Sequence, residues 1–590
     1  DVLFGDNGRI EAAAGAATLA RATQSVRRAT GDDQLEAGPG ADLAIAGLGA
    51  DDVSTGAGAD VAIGDAGRIV LDTAGGGGVS DVATLLPERG GADMIATGAH
   101  ADLAFGGGAG DTIRTGAGAD RAVGDHGQAA LTDGAPDVLE TVDAGLGVGA
   151  DEIAGSAGDD WLIGAGAGDT VTAGHGRDIV LGDNGRIEAQ DGAPTLVRST
   201  ASTTAATGAD TLATGAGGDL AIAGLGADDV STATGADVAI GDAGRIVLDD
   251  GGRGLPVSAT TLTTGKGGAD EIATGASADV VLAGAAGDRV QSDGADDVVL
   301  GDQGTVRWTV ADASAAVARV ASDTPSDGGA DRLVTGDGSD IALGGTGADK
   351  LVTGDGADLA FGDHGRVAAS GDGALRYDQL PLTEAAAVPF TFTAIDISAD
   401  QAGGADRIAS GAGADIVIGG QAGDRIEAGA GPDDVIGGHN VIGGADAADA
   451  IDAGRGADVV AGDNARITRT DSAVDPRFRT LDGGTLWVRA DDGDFAEGYT
   501  VADTGTFMPD PDGDAGRAIV LLDHTGLTPD ARYGADLIAG GGQDDRLFGQ
   551  LGSDRVLGDG DFVDRADAPA AVTVKDAGGD DYIEGGGHGD

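Results

Sequence analysis

Cysteine is absent from all 590 residues, so neither disulfides nor thiolate metal sites hold this chain together. Aromatic residues contribute only 3%, which excludes a core of large rings and leaves Ala, Val, Ile and Leu to supply it. Basic residues are scarce, 35 against 100 acidic ones. The formal net charge of −65 at pH 7 argues against nucleic acid and against direct binding to anionic membranes unless cations bridge the contact. No apolar run approaches the roughly 18 residues of a membrane span, so no transmembrane segment is expected. What remains is a polyanion with 113 glycines and 41% hydrophobic residues. Self-repulsion at such a charge opposes any compact state unless something neutralises the carboxylates, and the apolar content is high enough to favour folding over disorder. Without thiols the available ligands are hard oxygens, which suit calcium.

Aspartate carries the shortest period, nine residues. It runs through Asp33, Asp42, Asp51, Asp60; Asp93, Asp102, Asp111, Asp120; Asp151, Asp160, Asp169, Asp178; and Asp210, Asp219, Asp228, Asp237. It continues through Asp270, Asp279, Asp288, Asp297; Asp331, Asp340, Asp349, Asp358; and Asp406, Asp415, Asp424, Asp433, and recurs at Asp449, Asp458, Asp536, Asp545 and Asp554. Six of the blocks close on G-D-x-G, beginning at Gly64, Gly124, Gly182, Gly241, Gly301 and Gly362, so a unit of about 60 residues is the second period. A third appears when residues 42–72 are laid on 219–249, which differ only at Gly56/Ala233 and Ala57/Thr234. Self-similarity of this kind means stacked repeats rather than one globular core.

Glycine at alternate positions before each Asp, as in Thr115-Gly116-Ala117-Gly118-Ala119-Asp120, permits positive φ and lets the loop curl with its carbonyls exposed. The residues after each Asp are strand formers of two alternating kinds. Odd turns mix polar and apolar positions, as in Asp93-Met94-Ile95-Ala96-Thr97; even turns are apolar throughout, as in Asp102-Leu103-Ala104-Phe105. Two nonapeptides therefore make one 18-residue coil, with odd strands in a sheet wetted on one face and even strands in a sheet buried on both.

These residues resemble the calcium-binding nonapeptide repeats of RTX (hemolysin-type) proteins, with the pattern G-G-x-G-x-D-x-U-x. The resemblance implies an all-β, calcium-bound parallel β-roll, or β-solenoid, of two-strand coils. It implies that calcium sits between stacked loops on Asp side chains and loop carbonyls, pairing Asp33 with Asp51, Asp42 with Asp60, Asp93 with Asp111 and Asp102 with Asp120. All the aspartates of the nine-residue series named above are then candidate calcium ligands. On the order of 15 to 30 ions would bring −65 to roughly −35 to −5. The sequence departs from the pattern by placing Ala where Gly is usual, as at Ala109, and by interrupting the roll after every fourth turn. An array that only caps turns would not demand unbroken spacing.

Other features carry less. His126 and His364 fill the x of G-D-x-G, a turn position rather than a catalytic one. Thr55, Thr97, Thr115, Thr335 and Thr353 recur before a loop glycine, which points to hydrogen bonding within the local turn rather than to an ice-binding face. Asp510-Pro511-Asp512-Gly513-Asp514 begins like an EF-hand but has Ala515 where Gly is needed and Leu521 where Glu is needed. No nucleophile elbow, zincin or P-loop motif occurs, so no enzyme is expected in these residues. The expected organisation is repeat units over 1–366, an insertion over 367–402, repeats over 403–466, a β-rich insertion over 467–533 and repeats over 534–590. Both ends read as cuts in a longer run of repeats. The apolar side chains Leu43, Ile45, Val61, Ile63, Leu103 and Phe105 need cover, either from the roughly 22-residue excess that follows each G-D-x-G turn or from a second copy of the chain. The leading functional expectation is a secreted, extracellular or cell-surface scaffold or adhesin that self-associates into a fibre or layer. The alternative is the secretion and folding module of an RTX toxin or hydrolase exported by type I secretion, and a third reading gives the 467–533 insertion a glycan or cell-surface contact.

Overall fold

The computed structural model describes residues 1–13, 16–22, 31–72, 78–142, 145–200, 208–262, 267–311, 314–322, 328–369, 390–394, 403–469, 478–480, 484–489, 495–501, 506–509, 517–524, 528–563, 570–572 and 579–586. Every regular element among them is a β-strand. They fall into two compact units, Asp1–Gly275 and Ala276–Asp590.

In the first unit the even strands form one parallel sheet. Leu43–Ile45, Val61–Ile63, Leu103–Phe105, Arg121–Val123, Trp161–Ala165, Ile179–Asp183, Leu220–Ile222 and Val238–Ile240 follow one another in register. The odd strands form a second: Gln34–Pro39, Asp52–Ala57, Met94–Ala99, Thr112–Ala117, Glu152–Ala157, Thr170–His175, Thr211–Ala216, Asp229–Ser231 and Glu271–Ala273. The second unit repeats the scheme. Its even sheet runs from Val280–Leu282 through Val298–Leu300, Ile341–Leu343, Leu359–Phe361, Ile416–Ile418, Asp434–Ile436, Val459–Ala461 and Arg546–Phe548 to Tyr582–Glu584. Its odd sheet runs from Arg289–Gln291 through Arg332–Val334, Lys350–Val352, Arg407–Ala409, Arg425–Glu427, Ala450–Asp452 and Leu537–Gly541 to Arg555–Asp559. Each unit is an all-β parallel β-roll.

Burial follows the two sequence kinds. In the odd strand Asp52–Ala57 only alternate side chains turn inward, whereas Val61–Ile63 and Leu103–Phe105 are buried at every position. Inside the roll, small residues of the even strands (Ala62, Ala104, Ala122) lie in the same core as branched residues of the odd ones (Val53, Ile95, Ile113). The outward even side chains are covered by the protein's own inserted segments. After each G-D-x-G turn the chain makes a hairpin, such as Gly67–Leu71 with Val79–Thr84 and Gly127–Thr132 with Ala135–Thr141. Successive hairpins pair with one another, Val82 opposite Ala129 and Leu139 opposite Ile187, giving an antiparallel third sheet. The last glycine of G-D-x-G is where this sheet lands: a methyl on Gly127 would press on the Phe105 and Val123 side chains. Ile63 and Phe105 are 0% exposed, as are Ile69 and Val82 of the hairpin. Farther along the strands the cover thins, and Leu43, Val61 and Leu103 face Leu71, Val79 and Leu131 across a groove of about 750 Å³.

Within the sequence insertions, Phe390–Ala394 pairs with Gly365–Ala369, Ala465–Arg469 with Arg517–Leu521, and Gly484–Arg489 with Phe495–Val501, so both carry additional β-structure. The EF-hand-like string 510–514 lies outside the described residues.

Candidate metal centres

The loops that join the strands form two edges. Loops running from an even to an odd strand end on Asp33, Asp51, Asp93, Asp111, Asp151, Asp169, Asp210, Asp228 and Asp270 in the first unit and on Asp288, Asp331, Asp349, Asp406, Asp424, Asp449, Asp536 and Asp554 in the second. We call this the first edge. Loops running the other way end on Asp42, Asp60, Asp102, Asp120, Asp160, Asp178, Asp219 and Asp237, and on Asp279, Asp297, Asp340, Asp358, Asp415, Asp433, Asp458 and Asp545; this is the second edge. The structure thus places every candidate of the nine-residue series in one of two rows.

Along each row the backbone N–H of one Asp donates to the Oδ1 of the Asp one coil on. On the first edge Asp33 donates to Asp51 at 2.7 Å, Asp93 to Asp111 at 2.7 Å and Asp151 to Asp169 at 2.8 Å. On the second, Asp42 donates to Asp60 at 2.8 Å and Asp102 to Asp120 at 2.9 Å. The bond persists where a hairpin or insertion separates the partners in sequence, as from Asp51 to Asp93 and from Asp349 to Asp406, both at 2.8 Å. One carboxylate oxygen is thereby committed to stacking. The other, Oδ2, is buried without a protein hydrogen-bond partner at Asp51, Asp93, Asp111, Asp151, Asp169, Asp210, Asp331, Asp349, Asp406 and Asp424, among others. Burying an ionised oxygen unpaired is costly, and a row of such oxygens is costlier still.

Burial, opposed by the Asp51 N–H and reinforced by the Asp51 charge, pushes the Asp93 carboxyl up to about 7. Asp111 is pushed by burial to about 9 and Asp151 to about 10, with Asp125 and Asp169 adding repulsion at the latter. Asp406, Asp424 and Asp449 are raised well above the usual carboxylate range, by burial first and by their acidic neighbours second. Something must supply positive charge or protons before these groups can share a fold near neutral pH.

Main-chain carbonyls supply the rest of a hard-oxygen site. A methyl added to Gly164, the first residue of its loop, would lie 2.6 Å from Asp169 Oδ2 and 2.5 Å from the Gly182 carbonyl oxygen of the next coil. For Gly5 the corresponding distances are 2.7 Å to Asp33 Oδ2 and 2.5 Å to the Ala46 carbonyl. The space in front of these glycines is walled by oxygens at about calcium–ligand spacing, roughly 2.3–2.6 Å. Among the described residues no three acidic or histidine side chains converge on one point, so an ion here would be shared between carboxylates and carbonyls. That donor set fits calcium.

The Ala departures from the repeat do not straighten the loops. Ala109 holds a φ of 80° and Ala286 one of 78°, keeping the left-handed curl at some backbone strain.

Sequence reasoning took G-D-x-G as a turn and missed what its Asp does. The hairpin interrupts a first-edge loop after its second residue, and that residue is this Asp. Asp65 accepts from Gly91 N–H at 3.3 Å, where the chain returns, and from Gly108 N–H at 2.5 Å in the next coil. Asp125 does the same with Gly149 and Gly166, both at 3.0 Å, and Asp463 with Gly534 and Leu551, both at 2.8 Å. The carboxylate closes the gap that the insertion opens. Asp581 extends the second-edge row, accepting from Asp545 N–H at 3.2 Å.

Two further expectations are settled. His126 and His364 are buried, with Nε2 at 3.0 Å from the Pro87 carbonyl and at 3.1 Å from Thr346 Oγ1 respectively, and burial holds His364 neutral, down to about 3. The threonines bond between coils as well as within their own turn: Thr55 donates to the Thr97 carbonyl at 3.2 Å and Thr97 to that of Thr115 at 3.0 Å, while Thr335 also donates to Asp340 of its own loop. They are fully buried because the first loop position points into the roll, which also removes any ice-binding face.

The model of the RTX calcium-binding nonapeptide repeat matches residues 29–62, 89–127, 147–180, 204–244, 264–299, 326–360, 402–435 and 530–562. The chain belongs to the RTX calcium-binding repeat family. The matched stretches of this RTX protein are the aspartate-bearing loops and strands of the rolls, and most of each hairpin falls between them. A search of curated proteins returns no match.

Proposed function

We propose that this RTX protein is a secreted, non-enzymatic scaffold or adhesin whose rolls are made rigid by many calcium ions. The observation that carries the reading is the row of buried Asp oxygens without protein partners, repeated coil after coil beside main-chain carbonyls. Each ion bridges two coils, so the sites together are equivalent to the fold. Because the carboxylates must be neutralised for coils to stack, folding waits for millimolar calcium, such as the chain meets outside a cell. Scaffolding is favoured because the site-bearing loop is itself the repeated unit, and a chain that assembles into a fibre or layer uses that repetition directly.

Calcium-dependent folding would equally serve a module that must leave the cell unfolded, and assembly separates the two. Circular dichroism of the metal-free chain should show little β-structure at pH 8 and recover it in millimolar calcium. Light scattering and electron microscopy should then show association. Spectra indifferent to calcium would remove the metal reading, and a strictly monomeric calcium-loaded particle at high concentration would favour the secretion module.

A further inference from the structure

The two edges differ at the first loop residue. On the first edge it is usually glycine, as at Gly64, Gly106, Gly124 and Gly164, and the space before it is open to the Asp Oδ2 and to the next coil's carbonyl. On the second edge it is usually a hydroxyl residue, such as Thr55, Thr97, Thr115, Thr214, Thr335 or Ser410. The alternation of the preceding strand aims this side chain into the roll, at the place a metal would take. Thr335 shows what it does there: its hydroxyl donates to Asp340 Oδ2, in its own loop, and lies 3.1 Å from the Thr353 carbonyl of the next coil. Thr353 reaches the Ser410 carbonyl at 3.2 Å and Ser410 that of Ala428 at 2.9 Å.

We propose that calcium enters the first edge and is excluded from the second wherever Thr or Ser heads the loop, the hydroxyl bridging neighbouring coils in the ion's place. This rests on the calcium reading above and adds to it which sites load. Three second-edge loops are headed by glycine, and they keep the open geometry: a methyl on Gly540 would lie 2.5 Å from Asp545 Oδ2 and 2.6 Å from the Gly558 carbonyl, and Gly155 and Gly558 are similarly placed beside Asp160 and Asp581. These three belong with the loading sites. In the filled cells the hydroxyl and protons offset the carboxylate in place of metal, although Oδ2 of Asp60, Asp102 and Asp120 is as deeply buried as on the first edge.

The test is a count of bound calcium on the full chain by native mass spectrometry, in saturating calcium after removal of loose ions. Replacing Thr97, Thr115, Thr335 and Thr353 together by Gly should raise the count by up to four, whereas the same positions changed to Val should leave it unaltered. The reciprocal variant G106T should lower it by one, which keeps the question open to refutation if the fourfold variant does not fold. A wild-type count large enough to load both edges, a fall on Thr→Gly, which would make the hydroxyl a ligand, or an unchanged count in G106T would each overturn the inference while leaving calcium binding intact. No bound calcium in the wild type would instead sink the metal reading and this inference with it.

Discussion

If buried carboxylates are what keep the metal-free chain from folding, protons should substitute for calcium. The perturbation is removal of metal by gel filtration, followed by variation of pH alone. Burial raises Asp93 from an ordinary 3.8 to about 7, so ionising it within the fold costs about 4 kcal/mol; for Asp111, raised to about 9, the figure is about 7 kcal/mol. Net stabilities of domains are roughly 5–15 kcal/mol, so two such sites consume the whole, and each unit contains many more. The sign follows from proton counts. These folded-state values lie above the unfolded ones, so between about pH 4 and pH 9 the folded chain binds more protons and loses stability as pH rises. Metal-free protein at pH 5 should therefore show β-structure by far-UV circular dichroism and protection from protease, and should lose both by pH 8. In millimolar calcium the fold should persist at pH 8. A metal-free chain equally folded at pH 5 and pH 8, or better folded at pH 8, would refute the claim that carboxylate burial is the barrier.

Other outcomes follow from single positions. D65A leaves the Gly91 and Gly108 N–H groups without their acceptor, so calcium-loaded thermal unfolding should show a loss of about 2–4 kcal/mol, and hydrogen exchange should rise first at those two amides. A109G releases a left-handed alanine and should raise stability by up to about 1 kcal/mol in the same assay. F105A empties a fully buried site beneath the hairpin sheet and should cost about 3–5 kcal/mol, read by denaturant titration in calcium.

How much of this was legible beforehand depended on which periodicity recorded it. The nine-residue Asp spacing fixed both rows, because a period that never slips inside a block can only be a stacked register. The apolar Leu103-Ala104-Phe105 and alternating Met94-Ile95-Ala96 assigned strands to different sheets, since burial on one or both faces is written in the side chains themselves. Cover by the inserted segments was readable as a need, because Phe105 and Ile63 could not stay wet, although the choice between a hairpin and a second copy was open. Two things escaped. The role of Asp65 depends on Gly91 and Gly108, which only the folded loop brings to it. The bonds that join coils escaped because Thr97 and Thr115 look like purely local turn formers, while the carbonyls they also reach are set by which way the first loop residue points.

The hairpin sheet decides how the rolls come apart. Its strands bond to one another without any metal, Leu139 opposite Ile187 and Val197 opposite Ile246, so chelation does not attack it directly. Its buried side chains, Ile69, Val82, Leu139 and Ile187, nonetheless lie over even strands whose spacing is set by the loops at the two edges. Once carboxylate repulsion spreads the coils, the even sheet no longer offers a continuous floor, and a meander with one apolar face is not stable in water by itself. The Thr and Ser bridges of the second edge meet the same limit, since each joins only adjacent coils that the first edge has already brought into register. Within a unit, loss of calcium should therefore carry the roll and its hairpin sheet away together, in one transition. Calcium titrations followed by hydrogen exchange at Trp161 on an even strand and at Leu139 and Ile187 on hairpins of the same unit should give coincident curves. A hairpin signal surviving after the even-sheet signal is lost would show that the third sheet stands independently of the metal.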